Sequence, residues 1–251
     1  MAHSGLRFSA SALVAVVVLC AALPAVAGPD SLREGLFGDR PPPGHSMAPP
    51  VARYVSEGGM SFVLDRSQPR PLLKFDDNPE VWALRAQPGP RGDVIYKNDL
   101  GEPVIRATRL GGLTIFTDLR PSGSPAALAG MGPPIRMPVI GPQVLLERLA
   151  QASARATRAA RRLIPFEADA SPESSAIVAD AAMVAAQAVV RISRRADARD
   201  LLGRISRVHL VEGEVSEARV SQGVMRITVT VEDGLAGRPS SDRIMAALGA
   251  Q

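Results

Sequence analysis

Short apolar runs alternate with polar positions between residues 51 and 118, and turn-forming residues separate them. VARYVSEGGMSFVLDRS reads as two strands about Gly58-Gly59, and PLLKFDDNPEVWAL as two about Asp77-Asn78-Pro79. DVIYKNDLGEPVIRATRL gives two more about Asn98-Asp99-Leu100-Gly101, and GGLTIFTDL a seventh strand. Alternation of period two suits half-buried strands. The pattern therefore predicts an antiparallel β meander or small barrel, with the Pro-Gly-Pro-Arg-Gly loop at 88–92 joining two hairpins.

The period changes after residue 142. Leu145, Leu149, Ala152, Ala156, Ala159 and Leu163 recur at spacings of three and four, which predicts a helix that Pro165 ends. A second helix opens with Ser171 as N-cap and Pro172 at the first helical position, and stops at Gly203. Its stripe is Val178, Ala182, Ala185, Val189, Ile192 and Ala196. About 30 residues at 1.5 Å each make it ~45 Å long, and the short loop PFEADAS predicts antiparallel packing of the pair. Residues 205–232 return to strand pattern as a long hairpin, and PSSDRIMAALGA closes as a short helix capped by Ser240 or Ser241. The fold class is α+β: a meander or small barrel, an inserted long helical hairpin at 142–203, and a C-terminal β-hairpin with a short helix at 204–251. Residues 28–50 and 119–141 each hold prolines in number, so the first reads as an extended lead segment and the second as a linker.

The first 27 residues change the compartment. Arg7 precedes an apolar run from Ala12 to Leu23, Pro24 breaks it, and Ala25-Val26-Ala27 forms a small-x-small site before Gly28. That is the layout of a cleaved secretory leader, and it predicts a periplasmic or secreted protein with no membrane span after cleavage. Cleavage removes Cys20, the one cysteine of the chain, which excludes disulfides, thiol catalysis and thiolate metal sites. It also removes one basic residue from 29, leaving 28 against 25 acidic. That balance, with export, argues against a nucleic-acid partner.

Candidate chemistry is sparse. Asp76, Asp77 and Glu80 crowd one turn beside Trp82, and with Asp93 at one rim of the sheet they are the carboxylates nearest to a catalytic set. Neighbouring Asp76 and Asp77 point to opposite faces of a strand, and Asp, Asn and Pro are turn formers, so a turn explains the stretch with nothing further. Trp82 anchors the sheet core or stacks a ligand. His209 sits in a strand pattern, and no G-x-S-x-G elbow or H-E-x-x-H pair accompanies it, so no metal or cofactor is expected. Arg191, Arg194 and Arg195 are the candidates for contact with an anionic envelope polymer. The sequence sets no oligomeric state.

The runs ARYVSEGGMSFVLDRS, PLLKFDDNPEVWAL, QPGPRGDVIY and ATRLGGLTIFTD resemble a family of exported bacterial proteins of unknown function. The resemblance covers the leader and residues 50–120 best. It implies a Gram-negative envelope location and assigns no activity. The reading is a non-enzymatic envelope protein, a binding or structural interaction module whose partner is an envelope protein or an anionic envelope polymer. The alternative is a carboxylate-dependent hydrolase acting on cell-envelope material.

Overall fold

A computed structural model describes residues 49–249, so the expected leader and most of the proline-rich lead segment lie outside the described residues. The turns of the three expected hairpins form as read, four residues long in the first and five in the other two. They join β1 (Val51–Ser56) to β2 (Ser61–Asp65), β3 (Leu72–Phe75) to β4 (Val81–Ala83), and β6 (Val94–Lys97) to β7 (Pro103–Ala107). β8 (Leu113–Thr117) follows as the seventh expected strand. Two strands of the barrel differ from the expectation: β5 (Arg85–Pro88), and β9 (Arg120–Met131) inside the stretch expected as a linker.

These nine strands form one antiparallel sheet in the order β4-β3-β2-β1-β9-β8-β7-β6-β5. Its two edges, β4 and β5, are consecutive in the chain and separated only by the buried Leu84. The sheet is therefore a nearly closed barrel, and closure removes free edges. β9 makes the other corner: its first half pairs with β8 and its second with β1, the change falling at Ala126. Proline is normally kept out of central strands. Pro125 is tolerated because its carbonyl accepts from Glu57 N, just past the end of β1 (2.9 Å), so the N–H it lacks would face the same spent end of the ladder.

Inward positions alternate along each strand and make the barrel core. Tyr54, Phe62, Phe75 and Trp82 run across β1 to β4 with ring centroids 5.6, 5.8 and 5.5 Å apart. Such cross-strand aromatic pairs add to simple burial. Outside β2–β4 a second small cluster, Val63, Leu72 and Val81, is covered by Ile135 and Leu235. Asp65 lies fully buried beneath this cover. It accepts from Ile135 N at 2.8 Å and from Ser67 N at 2.9 Å, with Arg136 at 3.4 Å. Burial opposes its charge, but the bonds from Ser67 and Ile135 and the Arg136 charge outweigh that and hold the carboxyl below its ordinary 3.8. Asp65→Ala should cost about 3 kcal/mol in urea unfolding at neutral pH, since it leaves buried donors unmet. The sign follows from linkage: with a lowered folded pKa, the Asp65 contribution is present above 3.8 and is lost as pH falls below it. The difference between variant and wild type should shrink in that window.

The rest of the chain builds a second layer. α1 (Pro142–Ala160) and α2 (Ser175–Ile192) pack on a four-stranded sheet ordered β10-β11-β13-β12. β10 (Phe166–Asp169) occupies the expected inter-helix loop, so the expected helix pair is present but joined through a strand. β10 carries the chain back between them: Arg162, past the end of α1, bonds the Leu202 and Ile205 carbonyls, on the side to which α2 also delivers the chain. The ~45 Å helix is instead two: α2 stops at Ile192, and α3 (Ala198–Gly203) follows a short break. The expected cap shifts: α2 begins at Ser175 with Ser174 at the N-cap position, and Ser171 and Pro172 lie in the turn before it, where Ser171 Oγ accepts from Ser174 N at 3.2 Å. α2 is long and apolar enough to cross a membrane by length and composition, yet most of it is buried in this layer as the core helix.

The expected C-terminal hairpin is β12 (Glu217–Ser221) with β13 (Val224–Val229), turning on Gln222-Gly223, both at positive φ. What was read as its long first arm breaks at Gly213. A Cβ there would come within 2.5 Å of the Thr228 side chain, and the residues before it become β11 (Arg207–Glu212), parallel to β13. A 3₁₀ turn (Gly234–Gly237) and α4 (Ser241–Ala247) are the last elements among the described residues.

Candidate functional site

Two turns of the barrel share one construction. Asn78 Oδ1 accepts from Glu80 N at 3.0 Å, and Asn98 Oδ1 accepts from Leu100 N and Glu102 N at 3.1 and 2.8 Å. Asparagine side chains stabilise turns in this way. Each turn carries a carboxylate, Glu80 or Asp99, and strand alternation puts both turns on one rim of the barrel. The two carboxylates meet consecutive serines. Asp99 accepts from Ser240 N and Oγ at 2.8 and 2.7 Å; Glu80 accepts from Ser241 N and Oγ at 2.8 and 2.6 Å. Ser240 in turn caps α4, its Oγ accepting from Arg243 N at 3.0 Å.

Arginines lock the same joint from both layers. Arg191 on α2 donates to Ser241 Oγ at 2.8 Å and pairs with Asp242 at 2.5 Å. Arg238, almost wholly buried, pairs with Asp180 of α2 and donates to the Val81 carbonyl of β4 at 2.9 Å. Arg70 donates to the Ala236 carbonyl at 2.9 Å. Burial raises the Glu80 pKa, with Arg238 and the Ser241 bonds pulling the other way. Burial also raises Asp242, against the attraction of Arg191, and Asp99 and Asp118 add to the rise.

The expected carboxylate set does not assemble. Asp76 pairs with Arg53 on the barrel exterior, Asp77 is exposed in its turn, and Glu80 points into the joint. Asp93 is buried against Arg106 at 2.5 Å, and its turn lies on the opposite rim, not on the rim shared by the others. The turn reading of Asp76-Asp77-Asn78-Pro79-Glu80 matches the geometry. Among the described residues no three His, Cys, Asp or Glu side chains are placed to hold a metal. The three arginines proposed for polymer contact do not act together: Arg191 serves the joint, Arg195 pairs with Asp197 at 2.9 Å, and Arg194 is exposed. His209 is half-buried on β11, its Nε2 3.0 Å from Asp169.

A cleft of about 70 Å3 opens at this joint, where the barrel rim, the connection before β12 and the start of α4 meet. Trp82, Arg85, Asn98, Ser216 and Arg243 are among its walls. Trp82 Nε1 is buried and has no acceptor. The family described as Domain of unknown function (DUF4908) matches residues 31–248. The chain belongs to this family. No curated protein and no solved structure matches it. The family domain thus extends well beyond the β region that carried the resemblance; it includes both layers and every residue of the joint.

Sequence reasoning missed Asp99 and the arginine contacts of the joint. The signal it had was the pair of Asn-centred turns and the Ser240-Ser241 cap, each read alone. Arg238 should be the least replaceable of the arginines. Arg238→Met is expected to lower stability by about 3 kcal/mol or more in urea unfolding, because it leaves Asp180 and the Val81 carbonyl without their donor.

Proposed function

We propose that this chain is an exported, non-enzymatic binding module of the cell envelope. The observation that carries the reading is the engagement of Glu80, the most buried of the expected catalytic carboxylates: both its oxygens hold Ser241, so neither is left for a substrate. An acid–base pair needs carboxylates converging on one reacting group, and Asp76 and Asp93 sit on different rims with arginines of their own. The layout of the leader supports export, and a nearly closed barrel fixed to a helix–sheet layer supports a rigid scaffold for contact.

The full chain, tagged at its C-terminus and made in Gram-negative cells, tests both parts. The expected result is a periplasmic protein beginning at Gly28 that, after cross-linking, enriches the same envelope component in independent preparations. Precursor held in the cytosol contradicts the export reading. Breakdown of envelope material by the purified protein, abolished by Glu80→Gln or Asp93→Asn, contradicts the binding reading in favour of the hydrolase.

A further inference from the structure

We infer that the cleft at the joint is a binding site for a compact oxyanion, a carboxylate or phosphate that is free or forms the end group of a larger ligand. The inference rests on the binding-module reading and deepens it. Four arginines line the cleft against two aspartates, and both aspartates are already engaged, Asp99 by Ser240 and Asp242 by Arg191. Two of the arginines are also engaged: Arg238 by Asp180 and the Val81 carbonyl, Arg70 by the Ala236 carbonyl. That leaves the guanidinium groups of Arg85 and Arg243. Both are exposed at the cleft, and neither has an ion-pair partner among the described residues.

The second observation is independent. Buried N–H donors are almost always matched by an acceptor, and the one buried side-chain polar atom without a partner among the described residues is Trp82 Nε1, on a residue that walls the same cleft. A group that brings several acceptor oxygens and negative charge suits the two guanidiniums, which bind carboxylate and phosphate through paired hydrogen bonds, and the buried indole N–H behind them belongs to the same wall as a donor without an acceptor. The volume of about 70 Å3 is far below the ~300 Å3 of an ordinary small-molecule site. It therefore admits an end group and not a whole metabolite.

Trp82 is the only tryptophan in the chain, so its emission reports on the cleft without labelling. The purified protein is titrated separately with inorganic phosphate and with acetate, with chloride holding the ionic strength constant. The expected result is a saturable change in Trp82 emission at millimolar anion, absent with chloride alone. It should weaken about tenfold or more in the double variant Arg85→Gln/Arg243→Gln. Response to phosphate alone or to acetate alone identifies which oxyanion the cleft takes. Unfolding midpoints of the double variant should match wild type, because neither guanidinium serves the joint. No saturable change with either anion overturns the inference, as does equal binding by the folded double variant. Envelope capture that persists in the double variant would leave the binding-module reading standing while this inference fails.

Discussion

Gly237→Ala is expected to cause the largest single loss of stability in the molecule. An alanine Cβ at this position would lie 1.9 Å from the Thr230 carbonyl oxygen and 2.9 Å from its carbon, and both are backbone atoms. The same two residues are held together by the bond from Thr230 N to the Gly237 carbonyl at 2.7 Å. Neither side can retreat without opening that contact. Displacement there moves Leu235 off the outer barrel cluster and shifts Arg238, Ser240 and Ser241, which follow directly. Substitutions that force backbone apart belong to the severe class, above about 4 kcal/mol, against a typical total of 5–15 kcal/mol. The variant should therefore be recovered largely unfolded or with a much lower urea midpoint. A midpoint equal to wild type would mean that the segment 234–241 is not clamped as described.

The second large effect separates two substitutions at Glu80. Glu80→Ala removes the acceptor for Ser241 N and Oγ in a site only 4% exposed, and leaves a void beside Arg238. About 3 kcal/mol should be lost. Glu80→Gln should cost far less, because it keeps the shape and mimics the protonated carboxyl that the burial favours. The pH sign distinguishes them further. A carboxyl whose folded pKa lies above its unfolded 4.5 binds more protons in the native state, so its contribution to stability falls as pH rises above 4.5. Wild type should lose stability relative to Glu80→Gln over the rise from 4.5 to neutrality. Urea midpoints for both proteins across that range check it, and parallel curves would contradict the account.

The barrel was largely legible because its hairpins are local. Gly58-Gly59, Asp77-Asn78-Pro79 and Asn98–Gly101 each mark a turn within four residues, and the strands beside them alternate. β9 was not legible, because Pro121, Gly123 and Pro125 resemble linker chemistry. Only the long-range partner β1, 70 or more residues away, shows why proline is harmless there. β10 and the break at Gly213 were hidden in the same way, as parallel pairing leaves no turn signal. Glu80 was noticed for the wrong reason: its neighbours in sequence suggested catalysis, whereas its partner Ser241 lies 161 residues away. Asp99 and Ser240 are separated by 141 residues, and no periodicity connects them.

The contacts across the joint predict that the barrel and the helix–sheet layer unfold as a single cooperative body, and one measurement tests that most directly. Trp82 lies in the barrel at the joint, and all four described α-helices lie in the other layer. Urea unfolding followed in one sample by Trp82 emission and by far-ultraviolet circular dichroism should give coincident transitions. Two transitions with separate midpoints in the wild-type protein would show that the layers unfold independently, and would contradict the joint as the element that unites them.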